Sequence, residues 1–417
     1  MIRRSFSLLT LTLLWIVGVS AQPLDYFEVT NPSFEPLRVG LESEPANSVE
    51  ALYLQAVLKN NIEPSMFFLL EASSERALSL SEGPDFHIQL SLKGPARNQV
   101  RMVVRERGRA EPIIDESRSR TLDRTWRSIG LEFSEQFIQK TLGFSSAVRS
   151  QVAFTAQTAR GRKNIMLIQY DGTQLRRFSY NLGTNNLAQW SFDNRQLLYV
   201  TFTRSSAQLQ LQPSHRLQAR ILSFPARSQP LAGSWHPDHQ NLLITLVRQG
   251  NSDIFEHNLQ TGTLRPLITG KGLEASAVWS PDGSRIAYVS DQAKSNEPQL
   301  YLFDPRTRSQ ERITFKGNYN SSPRWSPDGR HLAYEGKRRG YFQIFKYDLE
   351  RKQHQQLTFE RYDTEKPDWS PNGQQLVVSS RKSGVPKLYY LSAYGGRLIR
   401  VTTNPPEVSE TNPVWSH

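Results

Sequence analysis

Four acids recur at related places late in the chain: Glu274 in LEASAV, Asp363 and Glu365 in YDTEKPD, and Glu410 in VSETNPV. Carboxylates gathered at one point could hold a divalent cation through oxygen ligands, or accept hydrogen bonds from a docked partner; nothing in their spacing demands a metal. His236 and His239 in HPDH could suggest a metal pair, but with a tight turn between them they read as turn residues. No GxSxG nucleophile elbow, HExxH pair or GxxxxGK[ST] phosphate loop occurs. The sequence therefore offers no catalytic residue, no cofactor site and no metal site. It offers binding chemistry instead: the four acids, with Tyr319 and Asn320 in NYNSSPR, and a set of cations at Arg160, Arg162, Lys163, Lys294, Lys337, Arg338, Arg339, Arg381 and Lys382.

The elements that must position these residues are repeats. Tryptophans at 190, 235, 279, 325, 369 and 415 stand 44 to 46 residues apart, a period that fits a propeller blade or a helical repeat. The local pattern decides for strands. After WSPDG or WSPNG come RIAYVS, HLAYEG and QLVVSS, and then QLYLFD, FQIFKYD and KLYYLS, short β-branched and aromatic runs bounded by turn residues. No helical period is sustained after residue 145. Four short antiparallel strands per unit make a propeller blade. In the turn, Pro281 presets φ, Asp282 can bond its local backbone and Gly283 accepts positive φ; Asn194 and His239 stand where other units have glycine. The Trp before each turn is expected to pack between neighbouring blades. The stretch SSAQLQLQPSHRLQARILSF, which lacks a YVxD-type strand, reads as an irregular second blade.

SQVAFTA at 150–156 has no Trp strand before it, and NPVWSH has no strand after it. Pairing 409–417 with 150–156 would close six blades into a ring without exposed edges. In such a ring the SPDG turns share one face. The loops before each Trp share the other, with the acids near the channel mouth and the cations in an outer ring. A partner could be steered by the ring and hydrogen-bonded by the inner loops; the plain alternative is that each is a solvated turn residue.

Residues 1–21 differ from the rest. Arg3 and Arg4, an apolar run from Leu8 to Val19, and VSA before Gln22 predict a signal peptide cleaved after Ala21. The run is too short to span a bilayer comfortably, so the expectation is an exported protein with no direct membrane anchor. The absence of cysteine excludes disulfides and a lipidated cysteine. A formal charge of +12 suits anionic lipid, peptidoglycan or an acidic protein; export makes nucleic acid the least fitting partner. Ahead of the propeller, placed at 146–417, a small α/β domain is expected over 22–145. It would contain a helix through SVEALYLQAVLKNN, a strand at MFFLL and a hairpin of FHIQLSL with VRMVV. Its last helix would carry Leu122, Trp126, Ile129, Phe133 and Phe137 at helical spacing, with Thr121 as cap. The fold class is mainly β.

Signal peptide, α/β domain, six WSPDG-type repeats and a PVWSH ending together resemble the TolB family, periplasmic components of the Tol-Pal system of Gram-negative envelopes. The resemblance implies a non-enzymatic, monomeric adaptor of the periplasm that supports outer-membrane integrity and envelope constriction during cell division. Its propeller would bind Pal, the peptidoglycan-associated lipoprotein, through the loops preceding the Trp, here Glu274, Tyr319, Asn320, Asp363, Glu365 and Glu410. The stretch QPLDYFEVTNPSFEPLRV, residues 22–39, would be a mobile segment engaging TolA through Asp25, Tyr26, Phe27, Glu28 and Val29. Contact with peptidoglycan would be indirect. Two readings from other classes stay open: an exported propeller hydrolase or lyase with a metal in the channel, and a glycan-binding propeller that lays its basic ring on peptidoglycan.

Overall fold

The computed structural model describes residues 26–27, 35–72, 83–157 and 161–417. The segment 1–21 and Asp25, Glu28, Val29 and Arg160 lie outside them.

In the α/β domain, Ser48 caps α1 (Val49–Ile62) by accepting from the Ala51 N–H at 3.2 Å, and Ala51, Leu54, Leu58 and Ile62 bury one face. The second helix, α2 (Trp126–Leu142), buries Trp126, Ile129, Phe133 and Phe137, the spacing read from the sequence. Its start differs from expectation. Thr125, not Thr121, accepts from the Ser128 N–H at 3.2 Å, and Leu122 lies outside the helix, fully exposed. Residues 121–124 are already committed to a turn, in which the Arg124 N–H donates to Thr121 Oγ1 at 3.1 Å. The two helices meet at Gly130, where a Cβ would stand 2.5 Å from Val57 Cγ1.

Against the helices lies a five-stranded sheet in the order Phe68–Ala72, Leu37–Glu44, Phe86–Lys93, Gln99–Glu106, Ile114–Ser119. The first three strands run parallel and the last three antiparallel. Leu37–Glu44 begins inside the 22–39 segment that the sequence reading left mobile, and Val39 is buried. Ile114–Ser119 (IDESRS) is a polar edge strand with no apolar alternation to announce it.

The rest of the chain is a ring of six four-stranded antiparallel blades. Blade one joins the last strand, Ser409–Trp415, to Gln151–Gln157, Lys163–Gln169 and Arg176–Arg177, with Trp415 opposite Val152. The innermost strands of blades two to six are Thr184–Trp190, Gln229–Trp235, Glu274–Trp279, Asn320–Trp325 and Thr364–Trp369. Blade two is complete, contrary to the irregular unit expected. Its third strand is Ala207–Pro213, and the glutamines that disguised it are buried because Gln210 and Gln212 accept from the Tyr199 hydroxyl at 3.1 and 2.8 Å. Along the outer edge of blade five, Tyr26–Phe27 adds a two-residue parallel strand, Tyr26 opposite His354 and Phe27 opposite Gln355.

Four of the five turns are tied by a serine, Ser191, Ser280, Ser326 or Ser370, and the fifth has His236 in its place. Ser280 Oγ donates to Asp282 and accepts from the Arg285 N–H at 2.9 Å, while Gly283 takes a φ of 70°. Asn194 and His239 take the same left-handed conformation at 58° and 59°. The Trp ladder links blades: the Trp325 indole donates to Val278 O at 3.2 Å and that of Trp369 to Arg324 O at 3.0 Å. Every innermost strand also carries a bulge. In five of them the residue three before the Trp is left-handed: Leu187, Ser276, Ser322, Lys366 and Asn412, with φ between 50° and 56°. With Ala232 these residues line a cavity of about 210 Å³ on the propeller axis.

The two domains share a core that runs from α2 into blades one and six. Across the junction Arg127 pairs with the buried Asp171 at 2.8 Å, and Asn372 Nδ2 donates to Ser145 O at 2.8 Å. Among the described residues no helix is long and apolar enough to cross a membrane.

Candidate partner-binding face

The six residues predicted to bind a partner fall into two groups. Tyr319 is exposed, its ring edge-on to Phe342 at 5.3 Å. Asp363 and Glu365 are half-buried. Asp363 Oδ1 accepts from the Phe342 N–H at 3.0 Å, and its other oxygen faces Arg381 Nε at 3.7 Å. These three side chains reach the surface of the loop face.

Glu274, Asn320 and Glu410 do not; they are 2%, 0% and 0% exposed. All three stand five residues before the ladder Trp, as do the buried Asn185 and Thr364. At Glu274, Asn320 and Glu410 this position reaches the preceding blade, whereas Asn185 and Thr364 bond within their own, to Thr201 and Ser380. Asn320 Nδ2 donates to Gln299 Oε1 at 2.8 Å and Lys316 O at 3.1 Å. Glu410 accepts from the Leu388 N–H at 3.0 Å, from Asn404 Nδ2 at 2.8 Å and from Thr402 Oγ1, and lies 3.8 Å from the equally buried Lys387. Glu274 has a poorer lot. Its N–H donates to Ser252 Oγ at 3.2 Å, but its Oε2 has no hydrogen-bond partner among the described residues. Burial first, then the nearby Asp291 and Asp253, push its carboxyl up to about 7. These groups set the shape of the face rather than offering themselves to a partner.

Two residues that the sequence reading passed over organise the channel mouth. Glu335, 1% exposed, accepts from Ser321 Oγ at 2.6 Å, Ser322 Oγ at 3.0 Å, the Lys366 N–H at 2.8 Å and Lys366 Nζ at 2.8 Å. Burial alone would raise this carboxyl; the Lys366 ammonium overrides it and holds it below its ordinary value. Burial and then the Glu335 charge in turn push Glu365 up to about 7. A signal existed: HLAYEG places Glu335 where RIAYVS has the buried Val289, and an acid on a core position needs a partner.

Farther from the axis, Arg162, Lys294, Lys337, Arg339, Arg381 and Lys382 are exposed, and Lys163 and Arg338 half-buried. Long-range attraction of an acidic partner is the chemistry this rim supplies. His236 and His239 are held apart from it: the His236 ring packs edge-on against Trp279 at 4.6 Å, and its Nδ1 accepts from the Asp238 N–H at 3.1 Å. Among the described residues no group of three or more His, Asp or Glu is arranged to hold a metal ion. Of the N-terminal residues predicted to bind a partner, Tyr26 and Phe27 form the strand on blade five, and Asp25, Glu28 and Val29 lie outside the described residues.

Residues 138–417 match the family described as the TolB beta propeller domain. A TolB homolog of Chlorobium luteolum is 27% identical over 251 residues, 59% of this chain and 56% of that protein. A Tol-Pal system protein TolB of Ruthia magnifica is 35% identical over 81 residues, 19% of each chain. The matches thus span about half or less of these curated relatives. Among solved structures, TolB from Acinetobacter baumannii superposes with a TM-score of 0.79 at 20% identity, over 94% of this chain and 100% of that one. Hydrazine synthase of Kuenenia stuttgartiensis superposes with a TM-score of 0.53 at 11% identity, over 64% of this chain and 46% of that one. At such identities the structural likeness is one of fold.

Proposed function

Because this chain belongs to the TolB β-propeller family, we propose that it is a non-enzymatic periplasmic adaptor of a Tol-Pal system. It takes a Pal-like outer-membrane lipoprotein on the loop face of the propeller and a TolA-like inner-membrane protein on its N-terminal segment. In this role it supports outer-membrane integrity and envelope constriction at division. The family match over residues 138–417 carries the reading; the likeness to a Tol-Pal system protein of Ruthia magnifica supports the choice of system. The Pal-like partner would touch Tyr319, Asp363 and Glu365, be attracted by the basic rim, and depend on Glu274, Asn320 and Glu410 only through the loops they hold. Asp25, Tyr26, Phe27, Glu28 and Val29 would engage the TolA-like partner.

A pull-down from solubilised envelope tests both halves. The chain from residue 22 is compared with one starting at residue 35, which spares the Leu37–Glu44 strand. Capture of a Pal-like lipoprotein by both, and of a TolA-like protein by the longer chain alone, is the expected result. Capture of no envelope protein by either would leave only a likeness of fold. Within the Pal arm, Tyr319→Ala with Glu365→Lys should weaken capture by about tenfold or more, the loss typical of a well-packed contact pair.

A further inference from the structure

The loops that leave blades one, four and five share a device. Arg177, Arg312 and Gln356 each stand two residues before a buried Ser or Thr and donate to its carbonyl, on Ser179, Thr314 and Thr358, at 2.5, 2.6 and 2.6 Å. The three hydroxyls accept from the third strand of the same blade, from the Ile165, Leu300 and Ile344 N–H at 2.9, 2.8 and 2.9 Å. With the hydroxyl turned inward, the aromatic residue that follows is left exposed: Tyr180, Phe315 and Phe359. In two cases the arginine covers the ring, Arg177 Cζ lying 5.1 Å from the Tyr180 centroid and Arg312 Cζ 4.9 Å from that of Phe315. Gln356 has no charge to offer, and Phe359 has no cation over it among the described residues.

The uncovered ring lines a cleft of about 850 Å³ on the loop face, beside blade five. Four cations line the same cleft, Lys316, Arg338, Arg339 and Arg361, against one acid, Glu360. Tyr341 adds a second exposed ring. The floor is fixed in place. Arg338 lies over the buried Phe345 ring at 4.6 Å and donates to Lys337 O at 2.8 Å and Asn320 Oδ1 at 3.4 Å. The buried Gln343 holds the far loop by donating to Glu360 O at 2.9 Å and Tyr362 O at 3.1 Å. Arg339 and Arg361, by contrast, are exposed, and their guanidinium groups have no ion pair or hydrogen bond among the described residues.

The excess of positive charge disfavours a cationic guest. An inorganic anion would use the arginines and leave both rings idle. An acidic peptide added as a strand would need the edge at Gln353–Gln356, which Tyr26–Phe27 already pairs. We propose that this cleft binds an anionic sugar, whose carboxylate or phosphate pairs with Arg339 or Arg361 and whose ring lies on Phe359. A sugar presents an apolar C–H face to an aromatic ring and keeps its hydroxyls at the edge, and the arginine fork matches a carboxylate or phosphate with two parallel bonds. The volume falls within the roughly 300–1,000 Å³ of small-ligand sites and suits a short saccharide. The proposal does not depend on the adaptor reading, and no partner protein enters its test.

The chain from residue 22 is titrated, with binding followed by ligand-observed saturation-transfer NMR, against the disaccharide of N-acetylglucosamine and N-acetylmuramic acid, which carries one carboxylate. Two matched controls accompany it: chitobiose, the sugar without the acid, and D-lactate, the acid without the sugar. N-acetylglucosamine 1-phosphate, run in parallel, tells a phosphate source of charge from a carboxylate one. At least one anionic sugar should bind with a Kd of about 1 mM or tighter, and both controls at least about tenfold more weakly. Phe359→Ala should weaken binding about three- to tenfold, and Arg339→Ala with Arg361→Ala about tenfold or more. These three side chains are exposed, so their loss spares the fold. Phe315→Ala, at a covered ring outside the cleft, should change nothing. No binding of either anionic sugar up to about 10 mM, equal binding of chitobiose or D-lactate, or an equal loss from Phe315→Ala would each overturn the proposal.

Discussion

Two seams of the ring use the same residue type at the same place and reach opposite results. Between blades six and one, Glu410 meets Lys387; between blades three and four, Glu274 meets Asp253. Both acids stand five residues before the ladder Trp. Lys387 and Asp253 are also equivalent, each directly preceding the third-strand residue that pairs with the outer strand, Leu388 with Val401 and Ile254 with Ile268. At the first seam the acid has three hydrogen-bond donors and an ammonium, which is itself held by Pro405 O and Val408 O at 2.5 and 2.6 Å. At the second it faces like charge and keeps one oxygen unmet. A buried carboxylate is thus neither stabilising nor destabilising by nature; the donors and charges packed around it decide. The better-served acid lies on the closing strand, Ser409–Trp415, which pairs with Gln151–Gln157.

Breaking the first seam should have the largest effect. Glu410→Ala leaves Lys387 buried without its counter-charge, so urea unfolding should show a loss of about 3–5 kcal/mol, and the joint variant Lys387→Met with Glu410→Leu should recover much of it. At the second seam the sign reverses. Because the folded carboxyl of Glu274 is raised to about 7 from an ordinary 4.5, the native state keeps a proton that the unfolded chain releases. Stability at this site is therefore full below about pH 4.5 and lost as pH rises to 7. Glu274→Gln should change little at pH 4.5 and stabilise by on the order of 2 kcal/mol at pH 8. Thermal melts at the two pH values check this; a gain of equal size at both would mean that packing, not ionisation, is responsible.

How much of this was legible is set by which physical rule each residue obeys. The Trp ladder, the turns and the closing strand obey local rules of period and φ, and they yielded the propeller from the chain alone. The acids expected at a partner site were visible as types, but their burial was not: whether Glu274 or Asp363 is inside depends on the blade next door. Counting back from each Trp would have helped, since position five recurs as Asn185, Glu274, Asn320, Thr364 and Glu410, all buried, while Asp363 and Glu365 flank it. The cap of α2 failed for a related reason, since Thr121 and Thr125 are equally good caps in isolation and only the turn at 121–124 chooses between them. IDESRS stayed hidden for want of apolar alternation, and AQLQLQP because its glutamines mask a register in which Leu209 and Leu211 join the core.

A neutral seam should fall between the two charged ones. Asn320→Ala removes the partner of the buried Gln299, which keeps Thr314 Oγ1 as a donor at 2.8 Å, so urea unfolding should show a loss of about 1–2 kcal/mol with no dependence on pH from 5 to 8. A loss as large as that of Glu410→Ala would mean that position five matters by its geometry, and the charge across the seam would no longer explain the contrast.

The smallest change separates the two causes acting on Glu274. Asp253→Asn keeps an acceptor for the Gly270 N–H, which Asp253 Oδ1 serves at 3.1 Å, and removes only the charge. Burial is the main cause of the raised carboxyl, and Asp253 contributes less than Asp291. The substitution should therefore stabilise by no more than about 0.5 kcal/mol at pH 8, vanishing by pH 4.5, because a charge acting through a partly solvated seam is heavily screened. Melts in low and high salt sharpen the reading, since a Coulomb effect should shrink with salt and a burial effect should not. If Asp253→Asn instead matched the full gain of Glu274→Gln, like charge rather than burial would govern this seam. The two seams would then differ only in the sign of one side chain.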